Sequence, residues 1–270
     1  MQNQIQTYPN YPIGFFDSGL GGLTVLSEIY HLLPNEHLIY LADSKNAPYG
    51  KKSNQEIIAL SIKNTEKLLA LNCKIIVVAC NTATTNAIKI LRATYPNISF
   101  IGIEPAIKPA TLTSTTKKIG VLATKGTLSS ELFAITSEKY RNTHTFVEVE
   151  GNGLVELVEA GKINETEELL RQYLKPMLRQ NVDNIVLGCT HYPMLIPIIK
   201  KLIPPNVTII ESGGAVAKQT KNILTQLHLL ATQPYTEKHQ FFTNGNNKKV
   251  LEKFLKTLLI NDYSVQQLDF

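Results

Sequence analysis

The sequence predicts an α/β protein of two similar domains, each a mainly parallel sheet flanked by helices, with a ligand site in the cleft between them. Two stretches carry this prediction, Ile75–Thr82 (IIVVACNT) and Ile185–His191 (IVLGCTH). Each is a run of apolar, largely β-branched residues, typical of a strand buried on both faces of a parallel sheet. Each run ends at a cysteine before a predicted helix, where ligands bind in such sheets. We therefore expect Cys80 and Cys189 to face one shared cleft.

Strands and helices alternate from the first strand onward, which indicates parallel pairing. In the helix after the first strand, apolar residues recur at helical spacing, and Pro34-Asn35 ends it. Residues 1–11 are predicted to be a flexible lead-in. The predicted strands of this part are Ile13–Phe16, Leu38–Leu41, Ile75–Ala79 and Ser99–Ile103, and the predicted helices are Leu23–Leu33, Glu56–Leu71 and Ala83–Arg92.

The same pattern restarts at Lys118 as strand, polar loop and helix, a weak internal repeat. Residues 124–129 are predicted to be a loop. We assign residues 12–104 plus 210–270 to a discontinuous first domain and residues 105–209 to the second. The predicted strands are Lys118–Ala123, Thr145–Val149, Asn184–Leu187, Val207–Ile210, His239–Thr243 and Ser264–Leu268. The predicted helices are Ser130–Arg141, Leu154–Glu159, Glu165–Arg179, Met194–Leu202, 215–227 and Lys248–Leu259.

Composition limits the functional classes. The chain has 270 residues, 43% hydrophobic and 18% charged, as in ordinary globular proteins. Its net charge of +5 comes from single and paired lysines, so nucleic-acid binding is not indicated and small anionic substrates are modestly favoured. Three cysteines do not make a disulfide framework. With a polar N-terminus and no run of ~20 apolar residues, we expect a soluble, cytoplasmic protein without membrane contact.

Two of the three cysteines are candidate acid/base residues. A buried cysteine is usually a small apolar residue, and Cys73 is interpreted in this way. Cys80 and Cys189 each follow a buried strand at a predicted helix start, where the positive end of the helix favours a thiolate. His191 lies two residues beyond Cys189 and could stabilise that thiolate or exchange a proton with it.

The glycine-rich stretch Asp17–Gly22 (DSGLGG) follows the first strand. It does not form a dinucleotide fingerprint, because Thr24 stands where the last glycine is required, and the chain has no phosphate-binding P-loop. Its N–H groups suit a carboxylate, and Asp17 could act beside Cys80. Zinc is not expected, because the two cysteines and His191 lack a C-x-x-C pair or a second close histidine.

Five motifs occur in one register from about Ile13 to the C-terminus: DSGLGGLTV at 17–25, PYG at 48–50, ACNTA at 79–83, GCTHYP at 188–193 and FFTNG at 241–245. As a set they resemble glutamate racemase, whereas more distant relatives share the cysteines but not the whole set. The resemblance implies an enzyme without a cofactor that interconverts L- and D-glutamate and supplies D-glutamate for peptidoglycan. It leaves a homodimer open.

The resemblance also implies residue roles. Cys80 and Cys189 would be the two acid/base residues, with Asp17 assisting the first and His191 the second. Racemisation removes a proton from one face of a carbon and returns one to the other, so a thiolate and a thiol on opposite walls suit it. The residues that would bind the substrate are Asp17, Ser18, Tyr49, Gly50, Asn81, Thr82, Thr190 and His191.

Further acidic residues are candidates for assisting roles. Glu159 resembles the family's acidic residue near the histidine, with Glu156 in the same stretch as an alternative, and Asp43 is a third candidate. Asn244 and Glu211 depart from the residues common at their positions in the family. Both are expected to lie away from the chemistry.

Other functional classes remain open at this point. A different racemase of the same superfamily, such as an aspartate racemase, would differ in which amino acid it turns over. A two-domain binding protein for a dicarboxylic amino acid would keep binding after loss of both thiols and would not exchange the α-proton. A nucleotide-dependent enzyme is disfavoured by the incomplete glycine fingerprint.

Overall fold

The computed structural model describes residues 8–270. Most of the predicted lead-in, residues 1–7, lies outside these described residues, so its flexibility stays a prediction. Within the rest of the lead-in, the chain turns so that the Tyr11 N–H donates to the Tyr8 carbonyl at 3.0 Å.

Two parallel sheets form the framework, and the predicted fold class is confirmed. The six-stranded sheet has the order β10-β9-β2-β1-β3-β4 and the four-stranded sheet the order β6-β5-β7-β8. We call the parts built around them the first and the second lobe. The strands are β1 Ile13–Asp17, β2 Leu38–Ala42, β3 Ile75–Val78, β4 Ser99–Gly102, β5 Lys118–Ala123, β6 Thr145–Glu150, β7 Asn184–Gly188, β8 Thr208–Ile210, β9 His239–Thr243 and β10 Tyr263–Gln267.

Helices connect successive strands, as parallel strand pairing requires. Short 3-10 turns occur at Ser44–Asn46, Tyr49–Lys51, Ile163–Thr166 and Tyr192–Leu195. The helices are α1 Leu23–Leu32, α2 Asn54–Ala70, α3 Asn81–Thr94, α4 Ile107–Thr113, α5 Lys125–Leu128, α6 Glu131–Arg141, α7 Leu154–Glu159, α8 Glu167–Arg179, α9 Ile196–Leu202, α10 Gly213–Gln226 and α11 Lys248–Thr257. None of the helices found in residues 8–270 is long and apolar enough to span a membrane.

The C-terminal part of the chain returns to the first lobe. Strand β9 pairs in parallel with β2, and β10 pairs with β9. Helix α10 packs against α1. One apolar cluster contains both Phe15 of the first sheet and Ile185 of the second, so the lobes share a core. The predicted domain boundaries near residues 105 and 210 stay a prediction.

Two local predictions were wrong, and one helix was not predicted. The unpredicted helix α4 contains Pro109 as its third residue, where the missing N–H has no partner in a helix anyway. Residues 125–128 form α5 rather than a loop, started by the Thr124 side chain, which accepts from the Thr127 N–H. No helix begins at Cys189: a 3-10 turn follows it and α9 starts only at Ile196.

Candidate active site

Both candidate cysteines line one narrow cavity between the lobes. Cys80 is 4% exposed and Cys189 is 6% exposed, so both side chains are buried. Parallel strands present their carboxyl ends here: Asp17 ends β1, Cys80 follows β3, and Cys189 follows β7. Six predicted contact residues line the cavity, Ser18, Tyr49, Gly50, Asn81, Thr82 and Thr190, whereas Asp17 and His191 do not.

Cys80 and Asp17 form the first wall. Cys80 is the N-cap of α3, and its Sγ accepts from the Ala83 N–H at 3.5 Å. Burial and the charge of Asp17 nevertheless raise the pKa of the Cys80 thiol well above its usual value. Burial also raises the pKa of Asp17, although its Oδ2 accepts from the Gly22 N–H at 2.8 Å. The helix end therefore does not produce a resting thiolate at Cys80, and the first wall carries a thiol.

Cys189 and His191 form the second wall. The Cys189 Sγ lies 3.7 Å from Nδ1 of His191, whose other ring nitrogen, Nε2, lies 2.6 Å from Oε1 of Glu159. Burial alone would lower the pKa of His191, but its hydrogen bonds to Cys189 and Glu159 and their charges raise it well above 6.5. A histidine charged in this way stabilises a thiolate beside it. The two cysteines thus have different ionisable partners, Asp17 beside Cys80 and a histidine with a raised pKa beside Cys189.

Glu159 is the last residue of α7, and both oxygens of its carboxylate accept hydrogen bonds. Its Oε1 accepts from the Leu20 N–H at 2.5 Å, and its Oε2 accepts from Ser44 Oγ at 3.2 Å and Asn247 Nδ2 at 2.9 Å. The alternative, Glu156, instead lies 2.5 Å from the exposed Nζ of Lys51 at the cleft mouth. Of the two acidic residues, Glu159 is the one beside the histidine.

The glycine-rich stretch allows Glu159 and His191 to approach the first lobe. A Cβ atom added at Gly19 would overlap the Glu159 carboxylate, and one at Gly21 would overlap the His191 ring. The side chains of the second lobe therefore occupy the space that these glycines leave free. This close approach gives the stretch a physical role other than phosphate binding.

Asp43 holds Tyr49 rather than facing the cavity. Its Oδ2 accepts from the Tyr49 hydroxyl at 2.5 Å, and its Oδ1 accepts from Nδ2 of Asn46 at 2.8 Å and of Asn244 at 2.5 Å. Burial and the charge of Asp43 raise the pKa of Tyr49 well above 10, so the phenol stays neutral. Asn244 was expected to lie away from the chemistry, and it contacts the residue that fixes a cavity wall. Glu211 accepts from the Gly213 N–H at the start of α10.

Asn81 presents an acceptor without a donor. Its Oδ1 is buried and has no hydrogen-bond partner within residues 8–270, while its Nδ2 donates to the Ile103 carbonyl at 3.5 Å. Buried polar atoms are nearly always paired. Since Asn81 lines the cavity, a ligand that carries a donor would satisfy this oxygen.

The residues that the sequence analysis missed include Thr124, which lines the same cavity. Its Oγ1 lies 2.9 Å from Oγ1 of Thr82, so a hydroxyl pair bridges the two lobes. Thr124 comes directly after β5 in the second lobe, and Asp17 is the last residue of β1 in the first lobe. The internal repeat could therefore have identified Thr124. Among residues 8–270, no three His, Cys, Asp or Glu side chains are grouped closely enough to hold a metal ion.

Comparisons with known proteins agree with this geometry. A family model described as Asp/Glu/Hydantoin racemase matches residues 22–220. The chain is 44% identical over 241 residues to a glutamate racemase of Ectopseudomonas mendocina, covering 88% of this chain and 91% of that protein. It is 41% identical over 253 residues to one of Clostridium perfringens, covering 93% and 97%.

Solved structures are similar over nearly the whole chain. A glutamate racemase from Bacillus anthracis superposes with a TM-score of 0.86 at 33% identity, covering 97% of this chain and 99% of that one. The Escherichia coli glutamate racemase, in complex with L-glutamate and the activator UDP-MurNAc-ala, gives 0.84 at 30% identity, covering 95% and 97%. An aspartate racemase from Picrophilus torridus, at 16% identity and a TM-score of 0.54, shares the fold alone.

Proposed function

Because the chain belongs to the Asp/Glu/hydantoin racemase family and is a glutamate racemase within it, we propose that it inverts glutamate with two thiols and no cofactor. The observation that supports this proposal is the pair Cys80 and Cys189 in one shared cavity, each with its own ionisable partner. A single base tends to return the proton to the face it came from. Two opposed thiols can instead remove a proton on one face and supply one on the other.

In the proposed L-to-D direction, the Cys189 thiolate takes the α-proton and the C–H electron pair remains on the α-carbon. The Cys80 thiol then donates its proton to the opposite face, so that the enzyme is left with a Cys189 thiol and a Cys80 thiolate. The assignment of Cys189 to L-glutamate is carried over from the family. The raised pKa of Cys80 keeps its proton in place until it is transferred, and the raised pKa of His191 favours a positive charge beside Cys189. The D-to-L direction exchanges these roles.

The cavity offers groups for every polar part of glutamate. The unpaired Oδ1 of Asn81 suits the α-ammonium group. The hydroxyls of Ser18, Thr82 and Thr190 and the backbone at Tyr49-Gly50 suit the carboxylates. Such donors stabilise the negative charge that develops during α-proton removal, because they are fixed in a largely buried site. Glutamate can reach this site only if the lobes separate.

We also propose the cellular role implied by the family, which is supply of D-glutamate for peptidoglycan in the cytoplasm. All three cysteines are buried and free, which suits a reducing compartment. A pure binding protein would not need the two thiols to face one cavity. The competing aspartate specificity is tested by offering both amino acids.

The test follows both enantiomers in deuterated water without added cofactor, by circular dichroism and by α-proton exchange. The wild type is expected to racemise glutamate. Cys80→Ser and Cys189→Ser should each abolish racemisation, because a serine hydroxyl is a far weaker acid than a thiol. Cys80→Ser should still exchange the α-proton of L-glutamate, and Cys189→Ser that of D-glutamate.

Cys73→Ala is the matched control, because this third cysteine is buried outside the cavity, where burial raises its pKa far above the usual range. It should keep full activity. Racemase activity of wild-type level in either serine variant would refute the two-base mechanism. Exchange of the opposite enantiomers would reverse the assigned roles.

A further inference from the structure

Asn247 occupies the N-cap position of α11 but does not cap the helix. An asparagine at this position usually accepts a hydrogen bond from the first turn through its side-chain oxygen. Here Oδ1 accepts from Oγ1 of Thr243 at 2.8 Å. The amide Nδ2 donates to Oε2 of Glu159 at 2.9 Å and to Oγ of Ser44 at 2.8 Å. The Asn247 side chain is therefore bonded to Glu159, which lies 88 positions earlier in the chain.

The contact between Asn247 and Glu159 crosses from one lobe to the other. Glu159 belongs to the second lobe, together with His191 and Cys189. Three of its four hydrogen-bond partners belong to the first lobe: the Leu20 N–H, Ser44 and Asn247. Separation of the lobes would remove all three donors at once, while the contact with His191 lies within the second lobe.

We propose that Asn247 is a positioning residue for racemisation, whose amide fixes Glu159 against His191 when the lobes close and thereby readies the thiolate of Cys189. This inference rests on the proposed two-thiol function. Closure of the lobes then has a chemical consequence. Only in the closed state do all of these donors reach the Glu159 carboxylate, which in turn stabilises the imidazolium of His191. Hydrogen bonds from fixed donors to a carboxylate favour its charged form.

The contacts form one continuous chain. Asn247 bonds to Glu159, which lies 2.6 Å from His191 Nε2, and His191 Nδ1 lies 3.7 Å from the Cys189 sulfur. The charge of His191 also lowers the pKa of Asp17, against the larger effect of burial, so the first lobe is electrostatically linked to this chain.

The test compares Asn247→Leu with Asn246→Leu, the same change at the next position. Asn246 is exposed and contacts only Gln267 Nε2, at 3.0 Å, among the described residues. For each protein, kcat and KM are measured against pH with L-glutamate, and His191 is titrated by nuclear magnetic resonance.

Removing one donor to a charged group should lower kcat of Asn247→Leu by roughly tenfold. The midpoint of its kcat profile should move to higher pH, because a less supported imidazolium stabilises the thiolate less, and the pKa of His191 should fall.

Ser44→Ala should shift both midpoints in the same direction by a smaller amount, since Ser44 is the longer of the two contacts to Oε2. Asn246→Leu should behave as the wild type.

A merely structural role of Asn247 would lower the melting temperature of Asn247→Leu without moving either midpoint. An Asn247→Leu variant with both midpoints unchanged would overturn the inference. If that variant does not fold, Asn247→Ser carries the same test. Failure of the proposed function differs, since it would appear as an inactive wild type or an active Cys189→Ser.

Discussion

Replacing Glu159 by glutamine tests the second wall directly. The carboxylate uses one oxygen for Leu20 and His191 and the other for Ser44 and Asn247. A glutamine has a single acceptor oxygen, so its NH₂ must face at least one pair of donors. The change keeps the shape of the side chain but removes its charge. It also places the NH₂ group against donors that need an acceptor.

The size of the effect follows from the contact with His191. At the 2.6 Å separation, a charged pair gains about 4–6 kcal/mol for an effective dielectric constant of ~20, depending on how the charges spread over the groups. The neutral hydrogen bond that glutamine can keep returns about 1–1.5 kcal/mol. We therefore expect a loss of about 3 kcal/mol in transition-state stabilisation, or roughly 150-fold in kcat/KM.

The assay must run in both directions because thermodynamics links them. The two enantiomers have equal free energy in water, so kcat/KM must fall by the same factor for L- and D-glutamate. Any asymmetry can appear only in kcat and KM separately. Since Glu159 serves the wall assigned to L-glutamate, we expect kcat to fall more with L-glutamate than with D-glutamate.

Glu156→Gln is the matched control on the same helix. Glu156 meets Lys51, whose side chain is 62% exposed, so solvent screens this pair and its loss should leave kcat/KM almost unchanged. A Glu159→Gln variant within threefold of the wild type in kcat/KM would refute the role of Glu159. A larger loss in Glu156→Gln than in Glu159→Gln would refute the assignment between the two residues.

Two further predictions concern binding and stability. Thr82→Ala and Thr190→Ala should each lower kcat/KM for glutamate, with a loss of transition-state stabilisation of about 1.5–3 kcal/mol, the typical contribution of a hydrogen bond to a charged ligand. Unchanged kinetics in both variants would contradict the binding assignment. Burial, with the charges of His239 and Lys74, lowers the pKa of His37 from 6.5 to about 4, so between these pH values only the unfolded chain binds this proton. The free energy of unfolding should therefore fall as the pH drops from about 6.5 to about 4, by about 1–2 kcal/mol after allowance for solvent screening. Urea titrations of wild type and His37→Asn across this range check it: the variant should lack this part of the slope, and parallel slopes would contradict it.

The parts of the fold that were predictable depend on local pattern. The strand Lys118–Ala123 and the helix Leu154–Glu159 have the predicted bounds, because apolar periodicity and their flanking polar residues already define them. Helix α4 was not predicted, and its seven residues are too few to show a clear apolar periodicity. After Cys189 the chain first forms the 3-10 turn Tyr192–Leu195, and the regular helix begins only at Ile196.

The predictable parts of the site are those carried by motifs. Cys80 and Cys189 could be identified because each follows a buried strand, a feature that adjacent residues reveal. The choice between Glu156 and Glu159 depends on which face of α7 meets His191, and this requires the tertiary structure. The role inferred for Asn247 depends on a contact between residues 88 positions apart, which no local pattern encodes.

The strand order of the first sheet has a consequence for how the chain folds. Strand β2 lies inside that sheet, yet one of its two neighbours, β9, is contributed by residues about 200 positions later: the Leu38 N–H donates to His239, 201 positions away. Until the ribosome has released the last part of the chain, the apolar strand Leu38–Ala42 has an open edge that can pair with other chains. Such distant pairing also slows folding. Truncation before β9 should therefore yield aggregating protein rather than a smaller folded domain, and chaperone dependence during synthesis should exceed that of a chain with consecutive strand order.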